Sequence, residues 1–209
     1  MDFDVIVIGG GHAGIEASLA ASRMGCSTLL VTQNLDAIGR MSCNPAVGGL
    51  AKGNMVREID ALGGQMGKLI DRAMIQFRML NRSRGPAVQA PRAQADKALY
   101  AALAKNTLET AKGLALFQDT VTDIKTDSNG RRAEGVITGR GKVFTARKIV
   151  LTTGTFMEAS IFIGEYTAPL GRLGEPAAVG LGASLRRLGF PLGRMKTDTS
   201  ARVHKSSID

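Results

Sequence analysis

The first thirty positions contain two short apolar runs separated by a segment of small residues. Residues 4–8 are a run of mostly β-branched side chains bounded by charge and glycine, which is the pattern of a strand buried on both faces. Residues 16–23 carry small residues at helical spacing, and residues 28–32 return to an apolar run. The order strand, helix, strand predicts a βαβ unit over about residues 1–34.

The predicted first strand ends in Gly9-Gly10-Gly11-His12-Ala13-Gly14, in which positions 9, 11 and 14 have GxGxxG spacing. Between a strand and a helix, that spacing is typical of dinucleotide-binding turns. The first glycine allows the tight turn, the second lets the backbone approach a pyrophosphate, and the third lets the helix pack on the strand. We therefore predict that residues 9–14 bind a cofactor at the helix N-terminus, where backbone N–H groups favour an anion.

The acidic residue that usually follows such a turn about 20 positions later is missing. The second predicted strand is followed by Gln33 and Asn34, and Asp36 comes slightly too late. An amide side chain can still hydrogen-bond a ribose hydroxyl, so Gln33 and Asn34 remain candidate cofactor ligands. The replacement weakens a general NAD or FAD assignment without contradicting it.

Residues 35–53 follow neither helical nor strand periodicity, and we interpret them as a long glycine-rich loop. Long loops in compact domains are frequently functional. This one contains Cys43, and Arg40 and Lys52 on either side of it would favour its thiolate. The alternative is a partly buried free cysteine without a chemical role. Cys26, which follows the small-residue helix, is predicted to be structural.

The segment from about 120 to 145 predicts a small antiparallel β-meander, because short strand-forming runs alternate there with glycine-containing turns. Residues 147–154 then form another buried strand that ends in a Thr-Gly turn. A Rossmann-type half, a meander and a returning strand together resemble the FAD-binding domain of glutathione-reductase-like proteins. That resemblance implies that Thr153, Gly154 and Thr155 pass close to the flavin and that the backbone at Val121 meets the adenine.

Composition excludes several classes of protein. The chain has 209 residues, of which 44% are hydrophobic and 22% charged, as in a globular protein. Two cysteines are too few for a disulfide framework, and no His or Cys cluster has metal-ligand spacing, so we expect no metal. The first residues are acidic where a signal peptide is basic, and no apolar run approaches the ~18 residues of a membrane span. We expect a cytoplasmic protein without membrane contact, or a mitochondrial one only if a transit peptide is missing.

Positive charge is concentrated in the middle of the chain. Residues 61–150 carry 16 basic and 7 acidic side chains, and this excess accounts for the net charge of +9. Its densest part contains Lys68, Arg72, Arg78, Arg82, Arg84, Arg92 and Lys97. Such a stretch fits a polyanion-binding surface, with Arg82, Arg84 and Arg92 as candidate RNA contacts, but it equally fits a solvated helix face. No interleaved aromatic residues and no signature of an RNA-binding module accompany it.

Longer motifs are more specific than the glycine spacing. They are DVIVIGGGHAG from residue 4, MSCNPAVGG from residue 41, DALGG from 60, GPAV from 85, RAQAD from 92 and LTTGTF from 151. In these motifs, which follow one another along nearly the whole chain, the sequence closely resembles the MnmG family, also called GidA, of tRNA uridine 5-carboxymethylaminomethyl modification enzymes. The missing strand-end acid is also usual in that family.

The resemblance implies an FAD-dependent, NADH-reduced enzyme that works with the GTPase MnmE. The two proteins would use a methylenetetrahydrofolate carbon and an amine such as glycine or ammonium to modify C5 of the wobble uridine in tRNA. Residues 9–14 and 153–155 would hold FAD, and the loop that carries Cys43 would lie beside the flavin, with Cys43 as the catalytic residue. We also expect a homodimer and no binding of DNA.

Two features depart from the family. Its members are much longer than this chain, and the resemblance places the NADH-binding insertion, the second half of the flavin fold and a C-terminal helical domain outside residues 1–209. We therefore expect a truncated FAD-binding domain that is inactive on its own. Near the end, the family pattern Lys-Thr-Gly-Thr-Pro is replaced by Lys196-Thr197-Asp198-Thr199-Ser200, which puts an acid where the family has glycine.

These observations predict an α/β fold, a glutathione-reductase-like (Rossmann-type) FAD-binding domain with a small β-meander. The alternatives are a folate- and FAD-dependent tRNA uracil methyltransferase, a small-molecule flavin oxidoreductase, and an inactive FAD- or RNA-binding fragment. The block Ser42-Cys43-Asn44-Pro45 argues against the first two. The missing C-terminal parts favour the third for the isolated chain.

Overall fold

The computed structural model describes residues 1–42, 44–198 and 203–209. The first apolar run forms β1 (Phe3–Ile8), the small-residue segment forms α1 (His12–Arg23), and the second run forms β2 (Thr28–Thr32). β1 and β2 are parallel neighbours. α1 begins four residues before the predicted 16–23, because the second half of the glycine turn is already helical.

The remaining strands and α-helices are mostly short. In chain order they are β3 (Ala46–Gly48), α2 (Lys52–Ala61), α3 (Met66–Ala73), β4 (Met74–Leu80), β5 (Ala90–Ala95), α4 (Lys97–Glu109), β6 (Leu114–Gln118), β7 (Val121–Thr126), β8 (Ala133–Thr138), β9 (Val143–Leu151), β10 (Ile161–Ile163), β11 (Tyr166–Ala168), β12 (Leu170–Arg172), β13 (Glu175–Pro176) and α5 (Leu181–Arg187). The helix α4 is capped by Asp96, whose carboxylate accepts hydrogen bonds from the backbone N–H groups of Ala98 and Leu99.

The largest sheet has six strands in the order β6-β2-β1-β9-β8-β7. Its first four strands are parallel, whereas β7 and β8 pair antiparallel with their neighbours. The sequence predicted a separate meander followed by a returning strand at 147–154. Instead, the third meander strand and the returning strand are one continuous strand, β9, which pairs with β8 at its start and with β1 through most of its length.

Both faces of this sheet are buried, because successive side chains of its central strands point to opposite sides. Val7 and Leu30 pack on one side with side chains of α1, α3 and α4. Ile6 and Leu29 pack on the other side with side chains of β7, β8 and α5. The continuous apolar runs of β1 and β2 therefore mark a central, doubly covered sheet.

A second, three-stranded antiparallel sheet has the order β3-β5-β4. Its strand β3 lies within residues 35–53, which the sequence predicted to be an irregular loop. The strand forms because residues 46–48 pair with β5, a partner more than forty positions later that local periodicity does not reveal. Two short hairpins, β10-β11 and β12-β13, follow the large sheet.

The described ranges contain neither a membrane-spanning helix nor a cluster of metal ligands. No helix there is long and apolar enough to cross a membrane. No group of three or more His, Cys, Asp or Glu side chains in the same ranges could hold a metal ion.

Candidate functional site

Two glycines of the turn at residues 9–14 are required by contacts inside the protein. Gly9 has a φ of +110°, and a Cβ there would overlap the backbone carbonyl of Thr152. A Cβ on Gly14 would overlap the carbonyl oxygen of Gly9. The turn and the first helix are therefore in direct backbone contact, and neither position can accept a larger residue without moving the strand or the helix.

Gly11 differs from both of them. It precedes α1 in an extended conformation that any residue adopts, and a Cβ added to it would meet no protein atom within 4 Å. The first backbone hydrogen bond of the helix runs from the Ile15 N–H to the Gly11 carbonyl, so the N–H groups of residues 12–14 have no helical acceptor. No acidic side chain lies in the first turn. The space in front of Gly11 thus suits an anion such as a pyrophosphate.

The end of β9 closes the other side of the turn. The Thr152 hydroxyl donates to the carbonyl of Ile8 at 2.8 Å or to that of Gly9 at 3.0 Å, which connects the ends of two neighbouring parallel strands. The predicted flavin contacts follow directly: Thr153 is half-buried, Gly154 has a φ of +58°, and Thr155 is exposed. The structure therefore places residues 153–155 beside the glycine turn, at the carboxyl edge of the sheet.

Gln33 and Asn34 follow β2 at the same edge, but each is already engaged. The Gln33 side-chain amide donates to the Thr120 hydroxyl at 3.2 Å, and the Asn34 side-chain oxygen accepts from the backbone N–H of Asp36 at 2.8 Å. Val121 adjoins Thr120 and has a buried side chain, so only its backbone could contact an adenine. The structure brings Gln33 and Val121 together, while their roles as cofactor ligands remain predictions.

His12 lies behind the turn in a mostly buried cluster. Its ring packs edge-on against Tyr100, with centroids 5.7 Å apart, and its Nδ1 has no hydrogen-bond partner in the part of the chain that the structure describes. Burial lowers the pKa of His12, Lys52 lowers it further, and Glu16 opposes them. Burial also raises the pKa of the Tyr100 phenol. Both groups are therefore neutral at pH 7.

The predicted catalytic residue, Cys43, lies outside the described residues. The two cations that were expected to favour its thiolate have other partners. Arg40 forms an ion pair with Glu175 at 2.6 Å, and Lys52 donates to the Ala46 carbonyl at 3.3 Å. The segment before it is connected to the glycine turn, because the Gly39 N–H donates to the Gly10 carbonyl at 3.1 Å.

The candidate RNA contacts belong to the basic hairpin, which we define as β4, β5 and the loop between them. Arg82 and Arg84 are exposed in that loop, and Arg92 lies on β5 directly opposite Arg78 on β4. The Gln89 side chain donates to the Arg84 carbonyl at 3.0 Å, which supports the loop's shape. None of the four arginines forms an ion pair within the described ranges. The seven basic residues are spread over α3, both strands, their loop and α4, so the interpretation as one helix face is wrong.

The departure near the end of the chain lies in an exposed segment without regular secondary structure. Asp198 pairs with Lys196 at 3.4 Å, and both side chains are largely exposed. Residues 199–202 lie outside the described residues.

Sequence reasoning missed several residues that shape the site. Thr152 was recognised only as part of a motif, although its hydroxyl joins β9 to the turn. Glu16 accepts from the backbone N–H groups of Gln65 and Met66 and so holds the start of α3. Arg172 and Glu175 come from a distant hairpin and meet Arg40. Only Thr152 had a local signal, its place at the end of a buried strand.

Four parallel strands, a glycine turn after the first of them in the chain and a helix N-terminus behind that turn define a Rossmann-type dinucleotide-binding domain. The family described as glucose inhibited division protein A, GIDA, matches residues 4–209. The chain belongs to this family, as the sequence motifs predicted.

Individual relatives agree with the family match. The chain is 65% identical over 209 residues to the tRNA uridine 5-carboxymethylaminomethyl modification enzyme MnmG of Borreliella burgdorferi, an alignment that covers 100% of this chain and 34% of that protein. The protein of the same name from Treponema pallidum is 62% identical over 215 residues, with the same 100% and 34% coverage. The chain thus spans about a third of the length of these curated relatives.

Solved structures confirm the predicted fold class. Aquifex aeolicus GidA in its form II crystal superposes with a TM-score of 0.92 at 54% identity, covering 100% of this chain and 34% of that one. The GidA-related protein from Thermus thermophilus has a TM-score of 0.66 at 27% identity and covers 91% of this chain and 70% of its own. A probable FAD-dependent monooxygenase from Pseudomonas aeruginosa, PqsL, shares the fold alone, with a TM-score of 0.53 at 16% identity.

Proposed function

We propose that the protein carrying this chain is an FAD-dependent enzyme that adds a carboxymethylaminomethyl or aminomethyl group to C5 of the wobble uridine in tRNA. Relatives that match the whole chain at 62% to 65% identity are named as tRNA uridine 5-carboxymethylaminomethyl modification enzymes. The structural observation that carries the cofactor assignment is the open position at Gly11, at a helix N-terminus and between two strand ends.

The residues of the turn fit FAD in three respects. Gly11 and Ala13 are exposed and leave room for a pyrophosphate, and the N–H groups of the first helical turn supply hydrogen-bond donors. Because burial keeps His12 neutral, its ring adds neither a negative charge that would repel the phosphates nor a positive charge that would neutralise them. Residues 153–155 would support the flavin end, and Gln33 and Val121 the adenosine end. When bound, FAD would supply electron transfer, while the chain's own residues bind it, orient it and limit its contact with water.

The basic hairpin supports tRNA as the substrate. Arg82 and Arg84 project from a loop whose backbone is held by Gln89, so two cations are presented to solvent at defined positions. Arg78 and Arg92 oppose each other across the strands, and like charges in that relation are unfavourable unless an anion lies between or beside them. A polynucleotide backbone supplies such anions at regular spacing.

The finer parts of the proposal rest on the resemblance of the sequence motifs to the family. They are NADH as reductant, methylenetetrahydrofolate as carbon donor, MnmE as partner, Cys43 as the catalytic residue, a homodimer and a cytoplasmic location. The relatives extend well beyond the matched third of their length, and we propose that the NADH and MnmE contacts belong to those further regions. Residues 1–209 alone are then expected to lack modification activity.

The alternatives are less well supported. A tRNA uracil methyltransferase or a small-molecule flavin oxidoreductase would share the fold, but sequence identity is 54% to GidA and falls to 27% for the GidA-related protein and to 16% for the monooxygenase. The inactive fragment remains the alternative for the isolated chain.

The cofactor assignment is tested by Gly11→Val in the full-length protein. The added side chain meets no protein atom, so folding should be preserved while FAD affinity falls at least about tenfold. The matched control is Gly193→Val, because Gly193 is also exposed with open space at its Cβ position. Flavin absorbance after dialysis and FAD titration followed by fluorescence give the measurement. Unchanged FAD affinity in Gly11→Val would show that the pyrophosphate lies elsewhere.

A further inference from the structure

Three charged side chains meet beside the glycine turn, and we call Arg40, Arg172 and Glu175 the arginine cluster. Glu175 Oε1 accepts from Arg40 Nη1 at 2.6 Å and lies 3.5 Å from Arg172 Nε. One carboxylate thus faces two guanidinium groups, and Asp36 also lies close enough to attract Arg40. Within the described ranges, Glu175 is the sole acidic side chain at ion-pair distance from Arg172.

Arg172 is the constrained member of the cluster. Its side chain is 26% exposed, against 44% for Arg40. Its guanidinium lies 5.1 Å from the centre of the Phe156 ring, and Phe156 in turn packs so closely on Gly171 that a Cβ there would overlap the ring. Stacking of this kind holds a guanidinium in one plane and leaves its edge for hydrogen bonds.

That edge has a donor to spare. Arg172 Nη1 is buried and has no hydrogen-bond partner in the part of the chain that the structure describes. Buried donors of native proteins are nearly always paired with protein, water or ligand. Arg172 therefore has the fixed orientation and the unused donor that binding of an oxyanion requires.

The arginine cluster lies where a ligand would be expected in this fold. Arg40 follows Gly39, whose N–H donates to the Gly10 carbonyl of the glycine turn. Phe156 follows residues 153–155, and its own N–H donates to the Thr153 carbonyl at 3.4 Å. The cluster is thus connected to both sides of the carboxyl edge of the parallel sheet, which is where open α/β sheets bind their ligands.

We propose that Arg172, together with Arg40, forms a binding site for a phosphate group, and that Glu175 positions the two guanidinium groups. The donors of this site are different from the N–H groups of α1 and from the arginines of the basic hairpin, although one pyrophosphate could contact both Arg172 and α1. The source of the phosphate rests on the proposed function: it is either a phosphate of FAD or a phosphate of the RNA backbone. The inference that the site binds phosphate does not depend on that function.

The first experiment uses the full-length protein freed of cofactor, with inorganic phosphate as the probe in calorimetric titrations. Arg172→Gln should weaken phosphate binding at least tenfold. The control is Arg147→Gln, which removes another arginine that faces a carboxylate, Asp4, at the opposite edge of the sheet. Loss in Arg172→Gln alone supports the site. Equal affinity in wild type and Arg172→Gln, an equal loss in both variants, or no phosphate binding by the wild type would overturn it.

A second variant should change phosphate affinity in the opposite direction. Glu175→Gln keeps a side-chain oxygen of the same shape as an acceptor but raises the charge of the cluster by one, so phosphate binding should become tighter by severalfold. If the arginine cluster only stabilises the β12-β13 hairpin, Glu175→Gln would lower the midpoint of thermal unfolding and leave phosphate affinity unchanged. That result would contradict the proposal. This variant also decides the question if Arg172→Gln does not fold.

The source of the phosphate is identified with FAD, riboflavin and a short single-stranded RNA. If the phosphate belongs to FAD, Arg172→Gln weakens FAD binding at least tenfold and leaves riboflavin, which has no phosphate, unchanged. If it belongs to RNA, FAD binding stays at the wild-type value and RNA binding weakens. A wild-type protein that binds no FAD would contradict the proposed function, while the titration with inorganic phosphate would still decide the site.

Discussion

The glycine turn at residues 9–14 and the basic hairpin are both candidate binding regions, but different contacts determine them. In the turn, Gly9 and Gly14 meet backbone atoms within the protein, and only Gly11 faces open space. In the hairpin, the arginines meet solvent, and the structure is held by Gln89 and by pairing of β4 with β5. Most substitutions in the turn should therefore affect folding as well as binding. Substitutions of the hairpin arginines should affect binding without affecting folding.

The largest effect is expected for Gly14→Ala, the change that should disrupt the turn. Its Cβ would overlap the Gly9 carbonyl oxygen, so either β1 or α1 must move, and we expect a loss of about 3 kcal/mol or more in the free energy of unfolding. Urea unfolding monitored by circular dichroism measures it. Stability within about 0.5 kcal/mol of the wild type would show that the contact between turn and helix is loose, and the contrast with Gly11 would disappear.

The next effect concerns the segment that joins the two regions. It is connected to the turn through Gly39 and to the hairpin through β3, and it carries Cys43. If Cys43 acts chemically, Cys43→Ser in the full-length protein should lower tRNA modification by more than about a hundredfold while flavin content and tRNA affinity stay near the wild type. Cys26→Ser is the matched control. Parallel loss of flavin and solubility would instead assign Cys43 a packing role.

The hairpin should show a smaller effect that is confined to binding. Arg82→Ala combined with Arg84→Ala removes two exposed cations and should reduce the slope of log affinity for tRNA against log salt by about 1.5, with the thermal midpoint unchanged. A paired substitution of Arg131 and Arg132, two neighbouring exposed arginines of another loop, serves as the control. A wild-type slope in the hairpin variant would leave Arg82 and Arg84 as solvated surface residues.

The smallest effect is a dependence of stability on pH at the glycine turn. Because burial lowers the pKa of folded His12, the unfolded chain binds a proton more readily, so stability falls as the pH drops through the ordinary histidine value of about 6.5. His12→Gln should reduce the difference in unfolding free energy between pH 7.5 and pH 5.5 by no more than about 1.4 kcal/mol in total. An equal pH dependence in both proteins would show that the ring is solvated.

Much of the turn could be predicted because its determinants are local. The strand, the three glycines and the helix lie within about twenty consecutive residues, and their spacing alone constrains the backbone. The alternating burial of β1 and β2 was likewise predictable, since a continuous apolar run requires cover on both faces. The charge of the middle region was also visible in the sequence, although its distribution over α3, the basic hairpin and α4 was not.

The family, the βαβ unit and the identity of the open glycine could all be read from the amino-acid order, because each depends on neighbours close in the chain. Long-range contacts were needed to establish that the meander and the returning strand are continuous in β9, that residues 46–48 form a strand with β5, and that Gln33 bonds Thr120. Only long-range contacts bring Glu175 to Arg40, which lies more than 130 positions earlier in the chain. The physical reason is that a side chain separated so far in sequence is placed by sheet register and packing, to which local propensity contributes almost nothing.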